Sequence, residues 1–282
     1  MTRFAANVSI LFRNVPLLDR PDLAARHGFR EIEMWWPTAA DLEGGSIEAL
    51  THRIRDAGVE LVLLNFDAGD MAAGERGLAN DPTRTARFRE NIPTALRLAE
   101  ATGCRKLNAL AGNRIEGLSE PAQRQALQES VARAADDAAS RGMTVLLEPL
   151  NTVENPRYLL PSTAAAIALA DSLGRPNVQV QFDVYHAAMN GEDVLASIAM
   201  AGSRIGHVQI ADMPGRHEPG TGTLPFGEIL HALEIGGYRG SVGLEYVPTD
   251  PSHPSFAYLP VLAESAADPG SWRPAPASIP GA

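Results

Sequence analysis

The chain has 282 residues, 45% hydrophobic and 21% charged, an ordinary globular composition and enough length for a sizeable core. A formal charge of −10 disfavours nucleic-acid phosphates and anionic membranes, so neither is an expected partner. The single cysteine, Cys104, excludes an intrachain disulfide, and no apolar run reaches the roughly 20 residues of a membrane span.

The start, Met-Thr-Arg with Asn7, Arg13 and Asn14 breaking the apolar run, does not read as a signal peptide, so the cytoplasm is the expected location. Along the chain, short β-rich runs cover residues 4–10, 30–36, 59–66, 106–112, 144–150, 178–185, 205–211 and 241–247. Helical patterns separate them at 21–27, 46–57, 82–102, 120–141, 162–173, 193–200 and 226–235, and an eighth is expected at 255–267. Ser46, Ser119 and Ser162 stand where helix N-caps belong, and Gly28, Gly58, Gly103, Gly142, Gly174 and Gly236 follow helix ends. Eight such units, with no linker, predict a single (β/α)₈ barrel over residues 1–267, in preference to an open doubly wound sheet. The tail, 268–282, holds four prolines and is expected to be extended or disordered.

Four strands carry polar groups on one parity, because successive side chains face opposite ways. In the fifth, Val145 and Leu147 face one side and Glu148 the other. In the sixth, Val180 and Phe182 oppose Gln179, Gln181 and Asp183. In the seventh, Val208 and Ile210 oppose His207 and Gln209. In the eighth, Val242, Leu244 and Tyr246 oppose Ser241, Gly243 and Glu245. The apolar face suits packing against helices, which turns the polar face into the barrel, near the strand ends where barrel enzymes place their chemistry. Three converging carboxylates need a counter-charge. Glu148, Asp183, Gln209 and Glu245 form an all-oxygen set that suits one divalent cation, magnesium or manganese; His207, a nitrogen donor, keeps zinc or cobalt open. The competing reading makes each acid a strand-end partner for an arginine.

Glu154, His186, Arg216 and Glu218 follow these residues in loops; Trp35 and Trp36 end the second strand, where one could wall a pocket. Lys106 is the only lysine among 24 cationic residues and sits at the wrong end of its strand for Schiff-base chemistry.

The stretches FAANVSILFRNVPLLDR, GDMAAGERGLA, LNALAGN, LLEPLN, FDVYH, HVQIADMPGRHEPGTG and GLEYVP resemble the hydroxypyruvate isomerase family, within the xylose isomerase-like barrels. The resemblance implies a metal-assisted shift of a carbonyl between neighbouring carbons, as between hydroxypyruvate and tartronate semialdehyde. It further implies that Glu148 and Glu245 are both metal ligands and proton-transfer groups, that Asp183 and Gln209 complete the metal shell, and that Glu154, His186 and Arg216 hold a small-molecule substrate. The second strand, EMWWP, and the segment PTDPSHPSFAYLP after the last strand depart from the family's pattern, at places that border the pocket. A ketose 3-epimerase, a metal-dependent dehydratase and a non-catalytic ligand-binding barrel remain open alternatives, as does a homo-oligomeric state. A phosphodiester nuclease would want several metal ions, more histidine ligands and a basic face, and the composition argues against it.

Overall fold

The alternation of period-two runs and helical segments resolves into a closed barrel. The computed structural model describes residues 2–272; the remainder of the expected tail, 273–282, lies outside the described residues. Eight parallel strands pair in chain order and β8 returns to β1. They are β1 (Phe4–Asn7), β2 (Glu31–Met34), β3 (Glu60–Asn65), β4 (Lys106–Asn108), β5 (Thr144–Leu147), β6 (Val178–Asp183), β7 (Ile205–Ile210) and β8 (Val242–Leu244). The outer helices are α1 (Arg20–Arg26), α2 (Ile47–Asp56), α3 (Thr85–Thr102), α4 (Glu120–Ala139), α5 (Thr163–Leu173), α6 (Val184–Met189), α7 (Val194–Ala201), α8 (Phe226–Ile235) and α9 (Leu259–Glu264).

Strand parity holds. Val145, Leu147, Val180, Phe182, Val208 and Ile210 are all buried, as outward-facing residues covered by helices must be. Ser46, Ser119 and Ser162 accept the backbone N–H groups of Ala49, Ala122 and Ala165, so the helices begin where these side chains satisfy otherwise unpaired donors. No helix among the described residues is long and apolar enough to cross a membrane.

The strands are shorter than their apolar runs at the C-terminal end, and the cause is local. Asn7 Oδ1 accepts the N–H of Ser9, and Asp183 accepts those of Tyr185 and His186. Side-chain acceptors therefore take donors that a continuing strand would use, and α6 starts directly on Asp183. The expected helix over 255–267 shrinks to α9 because Phe256 turns into an aromatic cluster with Phe12, His27 and Phe29. The tail begins as an ordered turn rather than an extended segment. Asp268 caps it, and Trp272 packs edge-on against Phe226 at 6.3 Å between ring centroids. A Cβ on Gly227 would meet the Pro269 carbonyl oxygen at 2.5 Å, so glycine is what lets the turn seat on α8.

Candidate active site

The polar interior at the C-terminal end is built from more strands than the four singled out by parity. Glu148 lies one residue past β5, Asp183 ends β6, Gln209 lies in β7 and Glu245 one residue past β8. All four are at most 4% exposed. Asn7 of β1, Glu33 of β2 and Asn108 of β4 join them and are fully buried. Gly243 makes room for this set: a Cβ there would stand 2.1 Å from Glu33 Oε2.

Glu148, Asp183 and His186 each offer a ligand atom, and these atoms lie within 4.8 Å of one another. Asn108 Nδ2 donates to Glu148 Oε2 at 2.6 Å. Glu245 joins the group through Arg216, whose Nη2 stands 2.6 Å from Glu245 Oε2 and 3.9 Å from Asp183 Oδ2. The other Glu245 oxygen accepts from Asn7 Nδ2 at 3.0 Å and from Trp35 Nε1 at 2.7 Å. Trp35 is thus the tryptophan that reaches the site, while Trp36 packs against the core.

Gln209, in register with Asp183, is held by its neighbours. Its Nε2 donates to Glu33 Oε1 at 2.6 Å, and its oxygen accepts from Gln181 Nε2, which leaves that oxygen one lone pair. His207, the nitrogen donor suggested by sequence, stands 2.7 Å from Glu33 Oε2 and is fully buried there. Glu33 has no equivalent in the sequence reading. Only barrel closure, which brings β2 beside β7 and β8 across the interior, reveals its role.

Electrostatics follow from this burial. Burial raises the Glu148 carboxyl well above its usual range, and Glu245 and Asp183 raise it further. Asp183 is pushed up to about 7 by burial and by Glu245, against the pull of Arg216. Glu245 is raised by burial and by Glu33, with Arg216 opposing. Three carboxylates therefore share one arginine, and the set fits a cation of hard-ligand preference.

His186 is pushed well below its usual range by burial and by Arg216 and Arg76. Its Nδ1 lies 3.1 Å from the Asn151 backbone nitrogen. A backbone N–H can only donate, so Nδ1 is the bare nitrogen and Nε2 carries the proton in the neutral ring. Nε2 lies 3.7 Å from Asp183 Oδ2, on the side of the acid cluster.

Glu154 stands at the exposed rim. Its oxygens accept from Tyr185 Oη at 2.6 Å and Asn151 Nδ2 at 2.9 Å, and Asn151 links it to His186. Arg216 lies over the Tyr185 ring, 5.2 Å from its centroid. Its backbone is left-handed, with φ of 56°, a conformation that a non-glycine residue holds only when its surroundings impose it. Asp212, missed in the sequence, supplies that frame by accepting the N–H groups of Met213, Leu224 and Gly220 across the loop. Glu218 turns outward to Thr249. Lys106 sits at the opposite end of the barrel over the Tyr238 ring, beside a surface cavity of about 390 Å³ that holds none of the acids.

The xylose isomerase-like TIM barrel family model matches residues 21–262. A putative hydroxypyruvate isomerase of Streptomyces coelicolor is 45% identical over 272 residues, covering 94% of this chain and 98% of the relative. A 2-oxo-tetronate isomerase of Cupriavidus necator is 38% identical, covering 88% and 94%. The crystal structure of a Brucella melitensis protein described as a family 2 AP endonuclease superposes with a TM-score of 0.84 at 39% identity, covering 92% and 99%. With agreement along nearly the whole of both chains, this chain belongs to the hydroxypyruvate isomerase family of xylose isomerase-like TIM barrels, a family of isomerases.

Proposed function

We propose that the chain isomerises a small hydroxy-oxo acid, of the hydroxypyruvate and tartronate semialdehyde kind, with Glu148 and Glu245 exchanging the proton. The observation that supports this most is the pair itself. Two buried carboxylates, delivered from β5 and β8, flank one cluster, and both are held above their usual pKa. A carboxyl raised above its usual range is a better proton donor and acceptor partner for a carbon acid than an ordinary carboxylate, as proton transfer next to a carbonyl requires. Glu148 keeps one oxygen on Asn108, whereas Glu245 is fixed by Asn7, Trp35 and Arg216, so each presents a defined face to a substrate between them.

Glu148, Asp183, Gln209 and Glu245 would hold one divalent ion, with magnesium or manganese favoured by the oxygen donors. Bound there, the ion would stabilise the negative charge that develops on the carbonyl oxygen as the neighbouring proton leaves. The remaining residues orient substrate. His186 offers its Nε2–H to a substrate oxygen, Glu154 and Tyr185 form the rim, and Arg216 holds Glu245 in place. Trp35 fixes Glu245 from that side through its indole N–H. The fold relative described as an endonuclease does not alter this reading: the cluster here contains a single histidine and sits in a chain of net charge −10.

The test is to incubate the protein with manganese and a panel of hydroxy-oxo acids and ketoses in deuterium oxide, following products by NMR. Interconversion of a hydroxy-oxo acid with deuterium entering at the carbon next to the carbonyl is expected, and E245Q should reduce turnover by about 10²–10⁴-fold. Turnover of ketoses alone would replace this reading with the epimerase. Near-normal turnover by both E148Q and E245Q would end the two-glutamate mechanism.

A further inference from the structure

The loop between β3 and α3 carries a cation that the site reading leaves unused. Arg76 is partly buried, and its guanidinium is tethered on one side only. Its Nε donates to Asn155 Oδ1 at 2.8 Å, and its Nη1 donates to the carbonyls of Met71 and Glu75 at 3.0 and 2.7 Å. Its Nη2 has no partner among the described residues and is not sealed from solvent. No carboxylate among the described residues lies within ion-pair distance of it.

The backbone beneath it is fixed. Gly77 donates its N–H to Ala68 O at 2.8 Å, and a Cβ there would stand 2.2 Å from Leu110 O, so the loop is docked hard against the end of β4. Asn155 follows Glu154 in the rim loop, and Asn151 of that loop bonds both Glu154 and His186. The charge of Arg76 is felt at His186 and Tyr158, and Arg76 itself responds to Glu154 and Arg216. These groups come from separate segments around one mouth.

Arg216 is placed differently. Its Nη2 is spent on Glu245 and it faces Asp183, so its charge is balanced inside the cluster. Glu154, the acid that bears on Arg76, has its oxygens committed to Tyr185 and Asn151. Discrimination between a charged and a neutral substrate needs a cation whose charge is not already balanced and whose geometry is set before binding.

We propose that Arg76, not Arg216, reads the carboxylate of the substrate. The inference rests on the hydroxy-oxo acid reading and names the residue that makes the site prefer an acid over a neutral ketose of the same length. Arg76 meets the carboxylate through its free Nη2 edge, while Asn155 and the two carbonyls hold the fork in place.

The experiment compares wild type, R76M, R76K and R216M with manganese present. Substrates are hydroxypyruvate and the neutral analogue dihydroxyacetone, and equilibrium binding of glycerate, an unreactive carboxylate, is measured by calorimetry. R76M is expected to raise KM for hydroxypyruvate about 10–100-fold, the worth of one charge-assisted pair, with kcat within about threefold. KM for dihydroxyacetone should move less than about twofold, and glycerate should bind about 10–100-fold more weakly. R76K should fall between wild type and R76M, because it restores the charge without the fork. R216M should lower kcat on both substrates alike. The proposal is overturned if R76M weakens acid and neutral substrates equally, if it leaves hydroxypyruvate unchanged, or if the selective loss appears in R216M instead. Should no hydroxy-oxo acid turn over, the functional reading fails on its own. Glycerate binding then decides Arg76: a loss in R76M keeps the carboxylate assignment, and equal binding, or none by wild type, removes it.

Discussion

Replacing Glu148 with glutamine should stabilise the metal-free protein while disabling it, and the gain should depend on pH. The ligand atoms of Glu148 and Asp183 lie within 4.8 Å of each other. Two unit charges at that separation repel by about 3 kcal/mol at an effective dielectric near 20. Glu245 adds to the repulsion, and Arg216 offsets part of it. The Glu148 carboxyl is raised in the folded state, so its favourable contribution is complete below the unfolded pKa and is lost as pH rises through the folded pKa. In chelator the wild type therefore carries more of this repulsion at pH 8 than at pH 5, where protonation relieves it. Glutamine keeps the shape and still accepts from Asn108. E148Q should gain up to about 3 kcal/mol, seen as a melting temperature a few degrees higher, with more of the gain at pH 8 than at pH 5. With manganese restored, its turnover should fall by about 10²–10⁴-fold. Circular dichroism melts at the two pH values, paired with the NMR assay, test both halves. A variant less stable than wild type at pH 8, or equally stabilised at both pH values, would show that the buried carboxylates do not oppose one another as their geometry requires.

Metal binding should release protons. Asp183 is held near 7 and Glu148 above its usual range, so manganese affinity should climb from pH 5 to pH 8, and calorimetry in buffers of different ionisation enthalpy should detect proton uptake by the buffer; affinity flat across that window would contradict the assignment. Asp212→Ala removes an acceptor for three loop N–H groups, leaving the turn that presents Arg216 unheld. A loss of about 2–4 kcal/mol in urea unfolding is expected, with a raised KM, and a variant matching wild type in both would show that the loop is framed by other contacts.

The sequence by itself determined the architecture and the four acid or amide positions. Period-two alternation in the runs holding Glu148, Asp183, Gln209 and Glu245 separates a helix-facing side from an interior side, and that separation survives folding because one face of every barrel strand must be covered. Lys106 opens its apolar run, which sets it at the far end of the barrel, and it lies there over Tyr238. Tertiary structure alone decided the rest, since it depends on which strands meet across the interior. Glu33 reads in sequence as one more acid in a strand. It becomes the centre of a buried network only when β2 faces His207 and Gln209 and when Gly243 leaves it space. Asn7 reaches Glu245 only because β8 closes on β1. The tautomer of His186 is set by one backbone N–H from Asn151, 35 residues away. Arg76 and Arg216 look alike as loop arginines, and only the fold balances the charge of one inside the acid cluster and leaves the other open at the mouth, because ion pairing is a matter of separation in space and not along the chain.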